Sequence, residues 1–221
     1  MYTSSVQVSK PFTQGEKIRG LRRGSIRTLE KEIIAMSFNI SGRKFDMRPH
    51  QKSPHYSLWL MPSGEVRQRL AEMILDLSRE YATLPFAPHV TLAGGIVGPA
   101  REVASKMRDL ARRISPFTVR LTTVDGLEEY FRCLFVRVAK TYPIMRANEA
   151  AREVFRLAPQ PAFMPHLSLL YGRLPSSVKD RIVASLGGRF QLEFKISSLH
   201  LYLIKSAPQA WRRLTSFGLG L

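Results

Sequence analysis

Apolar residues recur along this chain at two periods, and the switches between them outline its elements. Val66, Leu70, Met73, Ile74, Leu77 and Tyr81 fall on one face of a helix opened by Ser63 or Gly64. Val103, Met107, Leu110 and Ile114 mark a second helix beginning near Pro99, a residue suited to the first helical turn. A third is expected from about Pro143 to Leu157, ahead of Pro159 and Pro161, and a fourth from an N-cap at Ser176 or Ser177 through Val178, Ile182 and Leu186 to Gly187. Between them lie β-prone runs: Tyr56 to Pro62, "FAPHVTLAGG" (Phe86 to Gly95), Phe117 to Leu127, Tyr130 to Lys140, and "FMPHLSLLYG" (Phe163 to Gly172). Asp125-Gly126 is placed to turn the third run back into the fourth. Phe190 to Lys205 alternates well enough for a long strand or a hairpin pair.

The order is therefore β-α-β-α-β, twice. In each half a histidine falls in the second strand: His89 is thirty-three residues beyond Tyr56, and His166 thirty-five beyond Phe131. The two halves read as a pseudo-repeat of α+β lobes, one bilobal domain from residue 53 to 221.

The repeated strands carry the candidate chemistry. Side chains at i and i+2 share a strand face, so His89 lies with Thr91, and His166 with Ser168, while Val90, Leu92, Leu167 and Leu169 anchor the opposite face. If both strands face one cleft, two imidazoles and two hydroxyls converge on one ligand. An imidazole titrates near neutrality, so one copy can take a proton while the other gives one, and the hydroxyls can hold a phosphate in line for attack. That set suits cleavage of a phosphodiester without a metal. Which histidine acts as base stays open.

Charge narrows the ligand further. The chain has 34 Lys and Arg against 17 Asp and Glu, a net +17 that favours polyanions. Residues 1–52 hold eleven of the basic and four of the acidic side chains and read as a flexible basic arm, with one short helix at Leu29 to Phe38. The arm's Ser, Thr and Arg bias suggests an organelle transit peptide as the alternative to a cytoplasmic protein. No apolar run approaches the roughly 18–20 residues of a membrane span. Cys133 is the single cysteine, so an internal disulfide and a thiolate zinc cluster are both ruled out. Cys133 is expected mid-strand as a small buried residue. His50, His55 and His200 lack a partner motif, and the odd spacing of Arg132 and Arg137 would put at most one of them on the cleft face.

"PHVTL" with "PHLSL" resembles the two-histidine phosphoesterase superfamily, and within it "YSLWLMP", "FAPHVTLAGGI", "YFRCLFV" and "FMPHLSLLYG", in that order, are similar to the small cyclic phosphodiesterases of plants and fungi. The likeness runs from about Tyr56 to Tyr202. It implies a bilobal α+β fold in which two antiparallel sheets enclose a central cleft. It also implies hydrolysis, without metal or cofactor, of nucleoside 2′,3′-cyclic phosphates and of ADP-ribose 1″,2″-cyclic phosphate, a by-product of tRNA splicing. His89 and His166 would be the catalytic pair, Thr91 and Ser168 the phosphate ligands, and Trp59 and Tyr171 substrate-binding aromatics. Tyr171 reaches the cleft only if its strand bulges or ends after Leu169. The expected partner is a small cyclic phosphate bound by a monomer, with RNA contact through the basic surface. Two other readings of the same cleft are an RNA-end binding module and a 2′,5′-phosphodiesterase or RNA-end processing enzyme.

Overall fold

The computed structural model describes residues 55–160 and 162–221, so the expectations for the arm, for His50 and for Pro161 lie outside the described residues. The strands are β1 (His55–Leu60), β2 (Val90–Ile96), β3 (Phe117–Asp125), β4 (Leu134–Val138), β5 (His166–Leu170), β6 (Arg189–Ile196), β7 (Ser198–Ile204) and β8 (Arg212–Gly218). The helices are α1 (Gly64–Glu80), α2 (Ala100–Arg113), α3 (Tyr142–Val154) and α4 (Ser176–Ser185). All sheet neighbours are antiparallel, in the order β6-β3-β4-β5-β2-β1-β7-β8. The two expected halves meet between β2 and β5 through one register pair, Val90 with Leu167. The two motif strands are thus the central pair of the molecule.

The helices tie the halves together. α1 packs on β5 and β6, α2 on β7 and β8, and α3 on β2 and β3. Leu58, Leu60, Val90, Leu92, Leu167 and Leu169 are all fully buried in the common core with Leu70, Ile74, Met107 and Leu110 from the helices. Burying one aliphatic side chain is worth about 1.5–3 kcal/mol, so this face holds the strands in register while its alternate positions are left for chemistry. Helix starts follow the sequence closely: Ser63 stands at the cap of α1 and Pro99 at the cap of α2. The α4 cap is Pro175 instead, because Ser176 is already helical and donates its hydroxyl to Glu128.

Three regions depart from the expected elements. Tyr130–Arg132 forms a 3-10 turn, so β4 begins only at Leu134 and Cys133, although buried, precedes the strand. Gly126 makes that turn possible, since a Cβ there would stand 2.6 Å from the Cys133 carbonyl oxygen. The run from Phe190 to Lys205 is neither one strand nor a hairpin: β6 pairs with β3 in one half and β7 with β1 in the other. The cause is visible in the phase, because apolar residues occupy even positions through Ile196 and odd positions from Leu199, with the slip at Ser197-Ser198. β8 has no counterpart among the expected elements; as a mostly exposed edge strand it carries no buried alternation.

Candidate active site

Each Pro-His pair builds the same local hook. Proline fixes its own φ and biases the residue before it towards an extended backbone, and the carbonyl two positions before each histidine accepts from the ring. His89 Nδ1 lies 2.7 Å from the Ala87 oxygen, and His166 Nδ1 2.8 Å from the Met164 oxygen. A carbonyl can only accept, so both Nδ1 atoms carry the proton and both Nε2 atoms present a lone pair. Neither Nε2 has a protein partner among the described residues. Val138 N donates to the Pro165 oxygen and further fixes the second hook.

Across the ladder each motif hydroxyl faces an aromatic residue. Thr91 is in register with Trp59, and Ser168 with Phe135. Trp59 is 3% exposed and lies flat against His89, with ring centroids 3.5 Å apart and planes 11° apart. Tyr202 covers its other face at 3.7 Å, and the indole N–H donates to Ser57, whose hydroxyl donates to the Ala93 carbonyl. Trp59 therefore belongs to the site while being as buried as a core residue. Phe135 meets His166 edge-on at 5.2 Å.

Tyr171 also reaches this region. β5 ends at Leu170, which frees Tyr171 from strict alternation, and its ring stacks on Phe86 at 3.7 Å. The phenol hydrogen-bonds with Ser168, while burial raises its pKa so that it stays protonated. Ser168 is itself buried and donates to the Phe131 carbonyl at 3.0 Å. Thr91, half-buried, makes no hydrogen bond among the described residues.

Several residues at the site carry no signal in the sequence. Trp211, just before β8, lies edge-on to Trp59, His89 and Tyr171 and tilted against Phe131, so it spans both halves. Phe131 is 42% exposed beside it. Arg132 and Arg137 both flank His166, because Arg132 sits in the 3-10 turn, where strand alternation does not apply. The acidic pair Glu128-Glu129 just after Gly126 is the one cue that could have separated Tyr130–Arg132 from the strand.

Both imidazoles are held neutral. Burial, reinforced by the nearby His166, lowers His89 to about 4, and burial with the charges of Arg132 and Arg137 lowers His166 as well. His200 is also brought to about 4 by burial and by Arg213 and Arg67, but its Nε2 is engaged with Ser198 at 3.0 Å. Among the described residues no three His, Cys, Asp or Glu side chains are grouped to hold a metal, and no helix is long and apolar enough to cross a membrane.

Two pseudo-symmetric lobes with a histidine-hydroxyl pair on each central strand define a two-histidine phosphoesterase site. The family model of the 2′-5′ RNA ligase superfamily matches residues 46–207, and the chain belongs to this superfamily of two-histidine phosphoesterases. It is similar to the cyclic phosphodiesterase of Arabidopsis thaliana, 29% identical over 157 residues that cover 68% of this chain and 85% of the plant protein. The fold is that of TT0787 of Thermus thermophilus (TM-score 0.55, 20% identity, 75% of this chain and 98% of the other). It is equally that of LigT of E. coli complexed with 3′-AMP (TM-score 0.55, 17% identity, 76% and 100%).

Proposed function

We propose that this phosphoesterase opens cyclic phosphodiesters, converting nucleoside 2′,3′-cyclic phosphates to 2′-phosphates and ADP-ribose 1″,2″-cyclic phosphate to the 1″-phosphate, with His89 and His166 as general acid and base. The observation that carries this reading is the pair of identically hooked imidazoles, each with Nε2 unengaged, on the two central strands beside Thr91 and Ser168. The likeness to a plant cyclic phosphodiesterase supports it.

In this mechanism a water oxygen attacks phosphorus while one Nε2 accepts the water proton. The bond from phosphorus to the leaving ribose oxygen breaks, and the other Nε2 delivers a proton to that oxygen. One imidazole must be charged at that moment, although both rest neutral. The phosphate monoanion between them favours protonation of whichever becomes the acid. The Thr91 hydroxyl donates to a non-bridging oxygen, and Ser168 does so by turning from the Phe131 carbonyl, with Tyr171 behind it. Balanced proton transfer of this kind calls for no metal ion. The physiological setting we assign is clearance of tRNA-splicing by-products in the cytoplasm by a monomeric enzyme.

Incubation with EDTA and 2′,3′-cyclic AMP tests the reading, with chromatography of the product. Release of 2′-AMP at an undiminished rate is expected. Absence of turnover, with cleavage or tight binding confined to an RNA bearing a terminal cyclic phosphate, would move the function to RNA ends.

A further inference from the structure

Arg137 stands directly opposite His166 in the β4–β5 ladder, one strand away from the central cleft on the side remote from β2. Asp125 accepts from its Nε at 2.8 Å and from its Nη2, which fixes the plane of the guanidinium. The remaining Nη1 is turned to the Met164 sulfur at 3.1 Å. A thioether is a weak acceptor, so a cationic donor at this position is under-satisfied, although its side chain is 41% exposed. Arg132 repeats the arrangement: Glu129 takes Nε and Nη2, and Nη1 has no partner among the described residues. Two guanidinium groups near His166 are thus each held by a carboxylate on one edge and left open on the other. Phe135 lies under Arg137, 5.7 Å from ring centroid to Cζ, and limits where the group can swing.

The reacting phosphate is accounted for by the two hydroxyls and two imidazoles between β2 and β5. An anion held by Arg137 and Arg132 would be a second one, displaced towards β4. We propose that these two arginines form a subsite for a second phosphate of the substrate, attached at the 5-carbon of the ribose that carries the cyclic phosphate. This deepens the cyclic phosphodiesterase reading and rests on it: the preferred substrates are cyclic phosphates bearing a 5-phosphate or 5-diphosphate on the same ribose. The open edge exchanges a thioether for phosphate oxygens in charge-assisted bonds, which are about twice as strong as neutral ones. Asp125 and Glu129 act as positioning residues that keep each fork aimed.

The test compares adenosine 2′,3′-cyclic phosphate with its 5′-phosphorylated form and with ADP-ribose 1″,2″-cyclic phosphate. The native enzyme should show a KM at least fivefold lower for both phosphorylated substrates. Arg137→Leu should erase that preference and Arg137→Lys retain part of it. A preference for only one of the two would assign the subsite to monophosphate or to diphosphate. No preference in the native enzyme, or an equal rise in KM for all three substrates in Arg137→Leu, would overturn the proposal. Should Arg137→Leu fail to fold, Arg132→Leu makes the same comparison. If the native protein opens none of the three, the cyclic phosphodiesterase reading fails. Calorimetric titration with ADP-ribose then judges the subsite alone: binding at least fivefold tighter to the native protein than to the leucine variant sustains it, and equal binding ends it.

Discussion

The two copies of the histidine motif share a backbone and differ in everything around it. Both imidazoles are hooked through Nδ1 to the carbonyl two residues upstream, at 2.7 Å and 2.8 Å. Yet His89 lies flat in a stack with Trp59 and Tyr202, in an aromatic wall completed by Trp211, whereas His166 touches one phenyl edge and stands between two arginines. The hydroxyls differ too, since Thr91 is uncommitted and Ser168 is bonded to the Phe131 carbonyl and to Tyr171. A repeated motif can specify orientation and tautomer, because these depend on residues inside it. The electrostatics of each copy come from neighbouring strands, and here they have diverged.

The strongest way to test the comparison is to remove each imidazole. His89→Ala and His166→Ala should each lower turnover of 2′,3′-cyclic AMP by a hundredfold or more, since each supplies one of two proton transfers worth roughly 10²–10⁴. Steady-state rates with circular dichroism as a fold control decide this. Near-native activity in either variant would mean that the copies are not functionally paired.

A second test separates the rings that support them. Trp59→Leu should reduce kcat about tenfold or more with little change in KM, because the ring it removes orients His89 rather than contacting all of the substrate. Trp59→Phe should recover most of the loss. Phe135→Leu, which removes only an edge contact to His166, is expected to have a smaller effect on kcat in the same assay.

Acid stability sharpens the contrast in burial. An unfolded histidine protonates near 6.5, whereas folded His89 resists protonation until about 4. Between those values the unfolded chain binds more protons, so stability is complete above pH 6.5 and declines as pH falls towards 4. His89 alone contributes on the order of 3 kcal/mol to that decline, and His200, also near 4, adds to it. Urea midpoints at pH 7.5 and 4.5 should therefore differ, and His89→Asn should narrow the difference more than His166→Asn.

The hydroxyls should give smaller and unequal effects. Ser168→Ala loses a phosphate ligand and the anchor of the Tyr130–Arg132 turn, while Thr91→Val loses the ligand alone, on the order of one to three kcal/mol. Ser168→Ala is thus expected to be the slower enzyme. Smallest of all is deletion of residues 1–45, which precede the family match at 46–207 and should leave hydrolysis of 2′,3′-cyclic AMP unchanged.

Much of the site was legible before any coordinates. Periodicity placed α1 and α2 with their buried residues, and the two Pro-His-x-hydroxyl strands placed His89, Thr91, His166 and Ser168, because these signals are local and repeat. Arg132, Phe135 and Arg137 were visible only as strand residues. Their bearing on His166 depends on a turn at 130–132 and on the pairing of β4 with β5. Trp211 was silent because it precedes a polar edge strand.

What the sequence by itself determined is the hook: proline, then histidine, in front of alternating apolar residues, dictates ring orientation and Nδ1 protonation within a few consecutive positions. Only the tertiary structure decided that β2 and β5 become neighbours, that β6 and β7 part to opposite halves, and that one imidazole meets an indole and the other two guanidinium groups. The physical reason is range. Backbone preference and side-chain period act over a few residues, whereas strand pairing and the desolvation it brings are settled by contacts between segments at opposite ends of the domain, as between His55 and Ile204 or Leu58 and Leu201 in the β1–β7 pair.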